Sequence, residues 1–421
     1  MQKDKRKRFN MNTELQKYTK GKGIDTSIRK NSKLKNAKHI YKKYDNTYRL
    51  HPDVDFESLD FVYNKDSVNT TKFSIILLTE WIRYVKKGGY LIVEFENNSL
   101  LNNTKIHKIY DKYLSRFSKI VFEEKHGKSI SIVFQKTKSQ LVKGDSIDKW
   151  TFGIVTVGKR NEWVRQFIAS VREQNIPNYE IIIVGTWNDP ELKDKHDINY
   201  IHFTQKDDKG WITKKKNITF KKAKYNNVLV LHDRFFLDKE WYSGMKKYGN
   251  SWDAIFFPII DKKGFEYVHW SIWGKGLMPI GYADIKDWGE DYYAGGTFMA
   301  IKRDIFNKVP LDENRFWAEQ EDGEHGLRFT KNGYIMRANP YSKLHTTVTY
   351  IYDAPVYKFN SQKYGEIVEH RGKKWLYIQP AVDVMTRLFG VSFLRTRRKV
   401  SIFLKKYIKS INAPESGGKR T

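Results

Sequence analysis

The sequence contains no cysteine among its 421 residues. This absence excludes a disulfide-stabilised fold, a cysteine-ligated zinc or iron–sulfur centre and a thiol nucleophile. Long hydrophobic runs are missing as well. A membrane-spanning helix needs about 18 consecutive apolar residues, and the sequence contains no such stretch. The first ten residues, MQKDKRKRFN, carry charges with no apolar segment behind them, so no signal peptide is predicted. We therefore expect a protein that is free in the cytoplasm or held at the inner face of a membrane.

Acidic residues are scarce relative to basic ones. The chain has 48 Asp and Glu against 77 Lys and Arg, which gives a net charge of +29. Most of the excess lies at the two ends, since residues 1–50 carry a net charge of +12 and residues 381–421 one of +8. The middle part is only mildly basic, and it has no zinc-finger spacing, RNP-type strand or homeodomain-like helix. Charge alone therefore does not predict a nucleic-acid partner, and none is expected.

Hydrophobic residues make up 40% of the chain and aromatic residues 15%, which is enough for sizeable folded cores. Helix-like and strand-like patterns alternate in two series, separated by a polar segment. This alternation is typical of an α/β fold with mostly parallel sheets. In the first series we predict strands at 59–63, 90–95, 120–124 and 129–135, helices at 73–85 and 105–115, and a turn at 86–89. In the second we predict strands at 151–157, 180–185 and 227–231 and helices at 162–174 and 213–223.

Two stretches of the first series, LDFVYNKDSVN and TEWIRYVKKGGYLIVEF, resemble the later half of a class I S-adenosylmethionine-dependent methyltransferase. The resemblance covers about residues 20–136 and implies a Rossmann-like fold with the cofactor at the carboxyl ends of the strands. The family's glycine-rich loop is expected near Gly21–Asp25, but Thr26–Arg29 stands where further glycines should follow. Without them the backbone cannot turn tightly against the cofactor. We therefore expect a reduced domain that serves as a scaffold and does not bind S-adenosylmethionine.

Four motifs follow one another in the second series. They are GIVTVGKRN at 153–161, GWITKKKN at 210–217, YAGGT at 293–297 and WAEQEDGE at 317–324. The first combines a strand, a turn and a helix start, which presents backbone amides that suit a nucleotide. Each motif alone is common, and the ordered set is more specific than its members.

This order resembles the GT-A glycosyltransferases of the family-2 type over about residues 151–350. The resemblance implies a second αβα domain that moves a sugar from a nucleotide-sugar donor to a hydroxyl of a glycan or lipid-linked glycan, with inversion. The base and sugar of the donor are not specified, since Gly185-Thr186-Trp187 stands where the family usually has an acidic residue. The resemblance also implies a set of donor-binding residues: Thr156, Gly158, Arg160, Lys216, Asn217, His232, Asp233 and Arg234.

The family holds a divalent metal, Mn²⁺ or Mg²⁺, on the donor diphosphate with a short acidic motif at the end of its central strand. This chain has His232-Asp233-Arg234 there, so Asp233 is the obvious carboxylate ligand that remains. His345 corresponds to the family's late metal-ligating histidine, although a lone histidine is as often an ordinary core or surface residue. Arg234 can replace part of the metal's charge, because a guanidinium can donate two hydrogen bonds to phosphate oxygens.

The Glu321-Asp322 pair matches the family's catalytic acidic motif. The resemblance makes Asp322 the general base, which takes a proton from the acceptor hydroxyl, and Glu321 the residue that positions the acceptor. The alternative is an ordinary acidic first turn, stabilised by the helix dipole. Aromatic residues are dense over 241–317 and suit either a sugar-stacking groove or a hydrophobic core. Three residues are predicted to bind the acceptor: Gly295, Gly296 and Trp317.

The sequence thus predicts a basic segment (1–20), a methyltransferase-like domain (21–136), a linker (137–150), a glycosyltransferase domain (151–350) and a C-terminal extension (351–421). From Met385 to Ile411, basic and apolar residues alternate with helical spacing, which suits either peripheral contact with an anionic membrane or packing on the catalytic domain. Two other functions stay open. One is a glycan-modifying methyltransferase whose second domain recognises the substrate, and the other is a non-catalytic glycan-binding protein.

Overall fold

The structure is a computed structural model. It describes residues 12–31, 33–50, 54–193, 195–264, 266–267, 270–273, 279–296, 298–348, 356–360 and 363–369, and Leu388. The basic helix predicted at 385–411 therefore lies outside the described residues except for Leu388. No helix of the described part is both long enough and apolar enough to cross a membrane.

The first of two large sheets is built from residues 23–136. Its strands are β1 (Gly23–Asp25), β2 (Ala37–His39), β3 (Leu59–Lys65), β4 (Val85–Glu96), β5 (Ser118–His126) and β6 (Ser129–Lys136). They lie in the order β2-β1-β3-β4-β6-β5. The first four strands of this order are parallel to one another, whereas β6 runs antiparallel to both β4 and β5. Helices α1 (Ser74–Tyr84) and α2 (Asn103–Ile109) belong to this unit, and a π-helical turn at Tyr110–Leu114 continues α2.

The second large sheet has seven strands. They are β7 (Lys149–Val157), β8 (Asn178–Thr186), β9 (Ile198–His202), β10 (Asn227–His232), β12 (Ala254–Phe256), β18 (Phe298–Lys302) and β19 (Met336–Ala338). Their order is β19-β12-β18-β10-β7-β8-β9. Helix α3 (Asn161–Arg172) connects β7 to β8, which is the neighbour of β7 on one side. Helix α4 (Ile212–Lys222) leads into β10, which is the neighbour of β7 on the opposite side. The order of the strands therefore reverses between β7 and β10.

The remaining elements form two smaller sheets and three helices. One sheet contains β11 (Phe235–Leu237), β13 (Ile259–Ile260), β14 (Glu266–Tyr267) and β20 (Leu344–Thr346). The other contains β15 (Trp270–Trp273), β16 (Pro279–Ala283), β17 (Tyr292–Ala294), β21 (Val356–Asn360) and β22 (Lys363–Glu369). The helices are α5 (Trp241–Tyr248), α6 (Arg303–Phe306) and α7 (Glu321–Lys331).

The predicted α/β class is confirmed by these sheets, whereas some local predictions are wrong. The turn predicted at 86–89 belongs to β4, which begins at Val85 and pairs with β3. Gly89 permits this pairing, because a Cβ at that position would lie 2.5 Å from the carbonyl oxygen of Asp60. The helix predicted at 105–115 is shorter, since α2 ends at Ile109 and a π-helical turn follows. The domain limits drawn from the sequence stay a prediction.

A buried cluster of three charged side chains joins the two large sheets. Glu80 of α1 accepts hydrogen bonds from Arg49 at 2.6 Å and from Arg337 of β19 at 3.3 Å. All three side chains are buried, with Glu80 only 3% exposed. Arg49 also donates to the carbonyl oxygens of Tyr248 and Ser251, so it contacts the second unit directly. One carboxylate therefore compensates two guanidinium groups at the contact between the units.

Further contacts surround this cluster. Ion pairs join Arg83 to Asp253 and Lys112 to Glu290, each with one partner in either unit. At Gly333 the backbone has φ +71° and approaches the first unit so closely that a Cβ would lie 2.2 Å from the carbonyl oxygen of Lys112. Ion pairs and one close backbone contact therefore hold the two units together.

The first prediction concerns the buried charge cluster. Replacing Glu80 by Gln leaves Arg49 and Arg337 buried without a negative charge, and removing one partner of a buried ion pair typically costs about 3–5 kcal/mol. We expect a loss of that size in the free energy of unfolding, measured by urea denaturation. Glu14→Gln is the control, because Glu14 is exposed and its pair with Lys17 spans 4.0 Å; we expect a change below about 1 kcal/mol. Equal effects of the two variants would contradict the prediction.

Candidate functional site

A cavity of about 320 Å³ opens at the carboxyl ends of β7 and β10. These are the two strands between which the strand order reverses, and ligands of open α/β sheets bind in the crevice outside such a point. His232 pairs with Val155 in the register, so the residues that follow both strands lie at the same edge of the sheet. Six residues predicted for the site line the cavity: Thr156, Arg160, His232, Asp233, Arg234 and Trp317.

Asp233 is held on both of its carboxylate oxygens. The Thr156 hydroxyl donates to Oδ2 at 2.9 Å, and Arg160 Nη1 donates to Oδ1 at 2.8 Å. Asp233 is 4% exposed, whereas the side chain of Arg160 is 40% exposed. Gly158 has φ +78° and donates its N–H to the Thr156 hydroxyl, which fixes the turn into α3. The ionised carboxylate therefore has its partners within the protein.

Lys215 supplies a second cation to the cavity. Its ammonium donates to the carbonyl oxygen of Thr156 at 2.8 Å and lies 2.6 Å from Oδ1 of Asp207. Gly185 makes room for this contact, since a Cβ there would lie 1.9 Å from the same carbonyl oxygen and 3.3 Å from Lys215 Nζ. Arg234 lines the cavity as well. Two carboxylates thus face three cations in the lining, which favours an anionic ligand.

His232 stays neutral in this setting. Burial holds the pKa of its imidazole well below the usual range, and the charges of Lys216, Arg234 and Arg160 act in the same direction. Its Nε2 atom is buried and has no hydrogen-bond partner among the described residues. His232 therefore adds no charge to the lining.

The divalent metal implied by the resemblance does not fit these residues. Mn²⁺ and Mg²⁺ prefer several free oxygen ligands, but the two carboxylates of the cavity are each paired with a cation of the protein. His345 lies on β20, where its Nε2 is 2.8 Å from Asp238 Oδ2 and its ring stacks on Phe236. Across the ranges that the structure describes, no three His, Asp or Glu side chains gather in a way that could hold a metal ion.

The predicted acid pair begins helix α7. Asp322 accepts hydrogen bonds from two backbone amides, that of Gly296 to Oδ2 at 2.6 Å and that of Gly323 to Oδ1 at 2.8 Å. Lys216 donates to the carbonyl oxygen of Gly296. A Cβ at position 296 would lie 2.9 Å from the Cβ of Asp322, so a glycine is required for this approach. The backbone at Gly296 thus connects Lys216 to the predicted base.

Lys216 and Glu321 are buried ionisable groups of opposite charge, 1% and 6% exposed. Burial lowers the pKa of Lys216, and the neighbouring charges of Glu321 and Asp322 oppose this effect. Burial also raises the pKa of Glu321, and the charge of Asp322 raises it further. Shifts of this kind are typical of functional sites, though structural ion pairs produce them too. Lys216 therefore lies beside the acid pair, and its predicted contact with the donor stays a prediction.

Two other predicted residues have different surroundings from those expected. Asn217 hydrogen-bonds Leu311 and Glu313, so its side chain fixes the chain at residues 311–313. Trp317, the predicted acceptor-binding residue, is 47% exposed and lines the same cavity as Arg160 and Asp233. Most of the dense aromatic residues belong to the core: Trp241, Trp252, Trp270, Trp288, Tyr292 and Tyr293 are all buried.

Lys215 and Asp207 line the cavity and were missed by the sequence analysis. Lys215 stands three residues after Ile212, which also lines the cavity, so helical spacing from Ile212 was the available signal. A run of three lysines does not show which of them turns inward. Asp207 belongs to no motif.

Comparison with known proteins gave no matching family and no matching curated protein. Among solved structures, residues 1–349 of S. aureus TarS are similar at 14% identity and a TM-score of 0.33, over 47% of this chain and 60% of that one. GalNAc-T7 with UDP, GalNAc and Mn²⁺ is similar at 14% identity and a TM-score of 0.38, over 51% and 45%. Both are glycosyltransferases. The chain spans less than two thirds of the length of either structure.

The second prediction concerns His325 on α7. This residue is 1% exposed, and its Nε2 donates to the carbonyl oxygen of Val309 at 2.8 Å. Burial lowers the pKa of His325 to about 3. Below about pH 6.5 this histidine is protonated in the unfolded chain but stays neutral in the folded chain. The stability that neutral His325 contributes is therefore complete above that pH and is lost as the pH falls towards about 3.

Between pH 6 and 4.5, we expect His325→Gln to lose about 1.4 kcal/mol less stability per pH unit than the parent protein. Urea denaturation at several pH values measures this difference. His126→Gln serves as the control, because the side chain of His126 is 75% exposed. Parallel curves for the parent and His325→Gln would show that the histidine titrates alike in both states.

Proposed function

We propose that this protein is a GT-A type glycosyltransferase that moves a sugar from a nucleotide-sugar donor to a hydroxyl of a glycan or lipid-linked glycan, with inversion. The observation that carries the proposal is the cationic cavity at the point where the strand order reverses. Neighbouring residues of α4 connect it to the acid pair, since Lys215 lines the cavity and Lys216 contacts Gly296 next to Asp322. Donor and base would thus be held by one short helix.

The donor's diphosphate suits the charge of the cavity. Arg160, Lys215 and Arg234 can offer charge-assisted hydrogen bonds to phosphate oxygens, which are stronger than those between neutral groups. These cations also favour the leaving nucleoside diphosphate, on which negative charge develops as the sugar departs. Trp317 is the exposed aromatic ring of the lining and can stack on a base or a sugar.

Asp322 is the proposed general base. As the acceptor hydroxyl attacks the anomeric carbon, its proton passes to a carboxylate oxygen of Asp322, and the bond from that carbon to the diphosphate breaks. The two backbone amides that hold Asp322 fix the direction of the carboxylate. Glu321 would position the acceptor, and its raised pKa allows the protonated carboxyl to donate a hydrogen bond to a sugar oxygen.

The first unit is proposed to be a scaffold of methyltransferase type. Its strand order reverses between β1 and β3, where a cofactor would be expected. Asp25 is the last residue of β1 and lies at this point. Its carboxylate accepts hydrogen bonds from the backbone amides of Ser27 and Asn31, at 3.0 and 2.7 Å. The amide of Asn64 donates to Thr26. All five side chains are buried, which leaves their polar groups paired inside the protein.

The third prediction follows from these internal hydrogen bonds. We expect calorimetry to detect no binding of S-adenosylmethionine, because the cofactor would have to replace buried hydrogen bonds of the protein. A dissociation constant tighter than about 100 µM, or about −5.5 kcal/mol, would contradict this expectation and favour the glycan-modifying methyltransferase.

The fourth prediction tests the base. Asp322→Asn removes the proton acceptor and replaces one of the two oxygens that accept a backbone amide. Sugar transfer should fall by about 10²–10⁴-fold, with little change in donor affinity. Glu324→Gln is the matched control on the same helix, because Glu324 pairs with Arg328, and it should keep the parent rate.

Melting temperatures of both variants are compared first, so that unfolding is not mistaken for lost catalysis. Transfer by Asp322→Asn near the parent rate would remove Asp322 from the mechanism. A non-catalytic glycan-binding protein would show no turnover at all, whereas slow hydrolysis of a nucleotide-sugar by the parent protein would speak against that alternative.

A further inference from the structure

The pairing of Asp233 leads to an inference that rests on the proposed function and deepens it. We propose that the donor diphosphate is bound directly by the cations of the cavity, with Arg160 as its main ligand and without a bridging divalent metal. Asp233 is then a positioning residue that orients the guanidinium of Arg160. This differs from the metal-holding role that the resemblance to GT-A glycosyltransferases implies for it.

The first argument is the state of the carboxylate. Both oxygens of Asp233 already accept charge-assisted or hydroxyl hydrogen bonds, and the residue is 4% exposed. A metal ion bound there would compete with Arg160 for the negative charge of Asp233, which the ion pair already compensates. It would also bring two positive charges close to Arg234 and Lys215, which line the same cavity and would repel the ion.

The second argument is the geometry of Arg160. Asp233 engages one nitrogen of the guanidinium, and the centre of the group lies 4.9 Å from the ring of Trp163. Within the described part of the chain, Arg160 donates no other hydrogen bond to the protein. Its side chain is 40% exposed and lines the cavity. An oriented guanidinium with free N–H groups is suited to two parallel hydrogen bonds with phosphate oxygens.

The third argument is charge. With His232 neutral, the lining keeps a net positive charge even while Asp233 and Asp207 are ionised. A diphosphate carries negative charge that this lining can compensate without a metal ion. Lys215 is held by Asp207 and Thr156, whereas the exposed guanidinium of Arg160 has N–H groups free for the ligand, and Arg234 adds a further positive charge to the lining.

The test measures the binding of UDP, GDP, CDP and dTDP to the full chain by calorimetry, once with EDTA and once with Mn²⁺. We expect at least one of them to bind, with dissociation constants that agree within about threefold in the two buffers. Arg160→Gln should weaken this binding by about 10- to 100-fold in both, as expected for hydrogen bonds to charged groups. Asp233→Asn keeps one hydrogen-bond acceptor for Arg160, so it should weaken nucleotide binding by less than about tenfold.

Arg165→Gln is the matched control, because Arg165 lies on the same helix and pairs with Asp189 and Glu191, none of which lines the cavity. It should bind the nucleotides like the parent protein. Tightening of more than tenfold by Mn²⁺, lost in Asp233→Asn, would overturn the inference and leave the glycosyltransferase proposal standing. An unchanged affinity of Arg160→Gln would overturn the role of Arg160. Failure of all four nucleotides to bind in either buffer would overturn both the inference and the proposed function.

Discussion

The ion pair between Asp233 and Arg160 determines the character of the site. A carboxylate that is almost inaccessible to water must be compensated within the protein, and Thr156 and Arg160 provide that compensation. Arg160 can reach Asp233 because it stands immediately before α3, at the same edge of the sheet as the end of β10. The surplus of positive charge around this pair gives the cavity its preference for anions.

Helix α4 joins the two parts of the site. It packs closely on the central strand, since a Cβ at Gly153 of β7 would lie 2.4 Å from Thr219 of α4. Lys215 and Lys216 leave this helix in different directions, one towards the cavity and the other towards the backbone of Gly296. A shift of α4 would therefore change the cavity and the environment of Asp322 together. This coupling is a property of packing and requires no moving element.

The sequence predicts the α/β class and seven strands of the two large sheets, β3–β8 and β10, because apolar patterns depend on local periodicity. Thr156, Arg160 and Asp233 were expected from the resemblance to GT-A glycosyltransferases, and the structure brings them together at one edge of the sheet. The sequence does not separate Lys215 from Lys216, because that choice depends on how α4 is rotated against β7. The aromatic residues of 241–317 are ambiguous for a similar reason, since burial is decided by tertiary packing.

Long-range pairs lie beyond such reasoning altogether. Glu80 and Arg337 are separated by 257 positions in the chain, and no local pattern marks either as the partner of the other. Asp207 likewise belongs to no motif, and its place in the cavity is known only from its ion pair with Lys215. These residues acquire their roles from tertiary contacts, between the two units for Glu80 and Arg337 and within the second unit for Asp207 and Lys215.

The shared carboxylate of Glu80 has a consequence for how the chain can be divided. Two sheets in one chain suggest two modules that could be exchanged or expressed apart. However, Glu80 of the first unit is the counter-ion of Arg337 in the second. Cutting there would place Arg337 of the second sheet at a new surface without its partner, and would leave Arg49 without the carbonyl oxygens of Tyr248 and Ser251. In evolutionary terms, recombination at this boundary would be tolerated only if the arginines and the glutamate were inherited together.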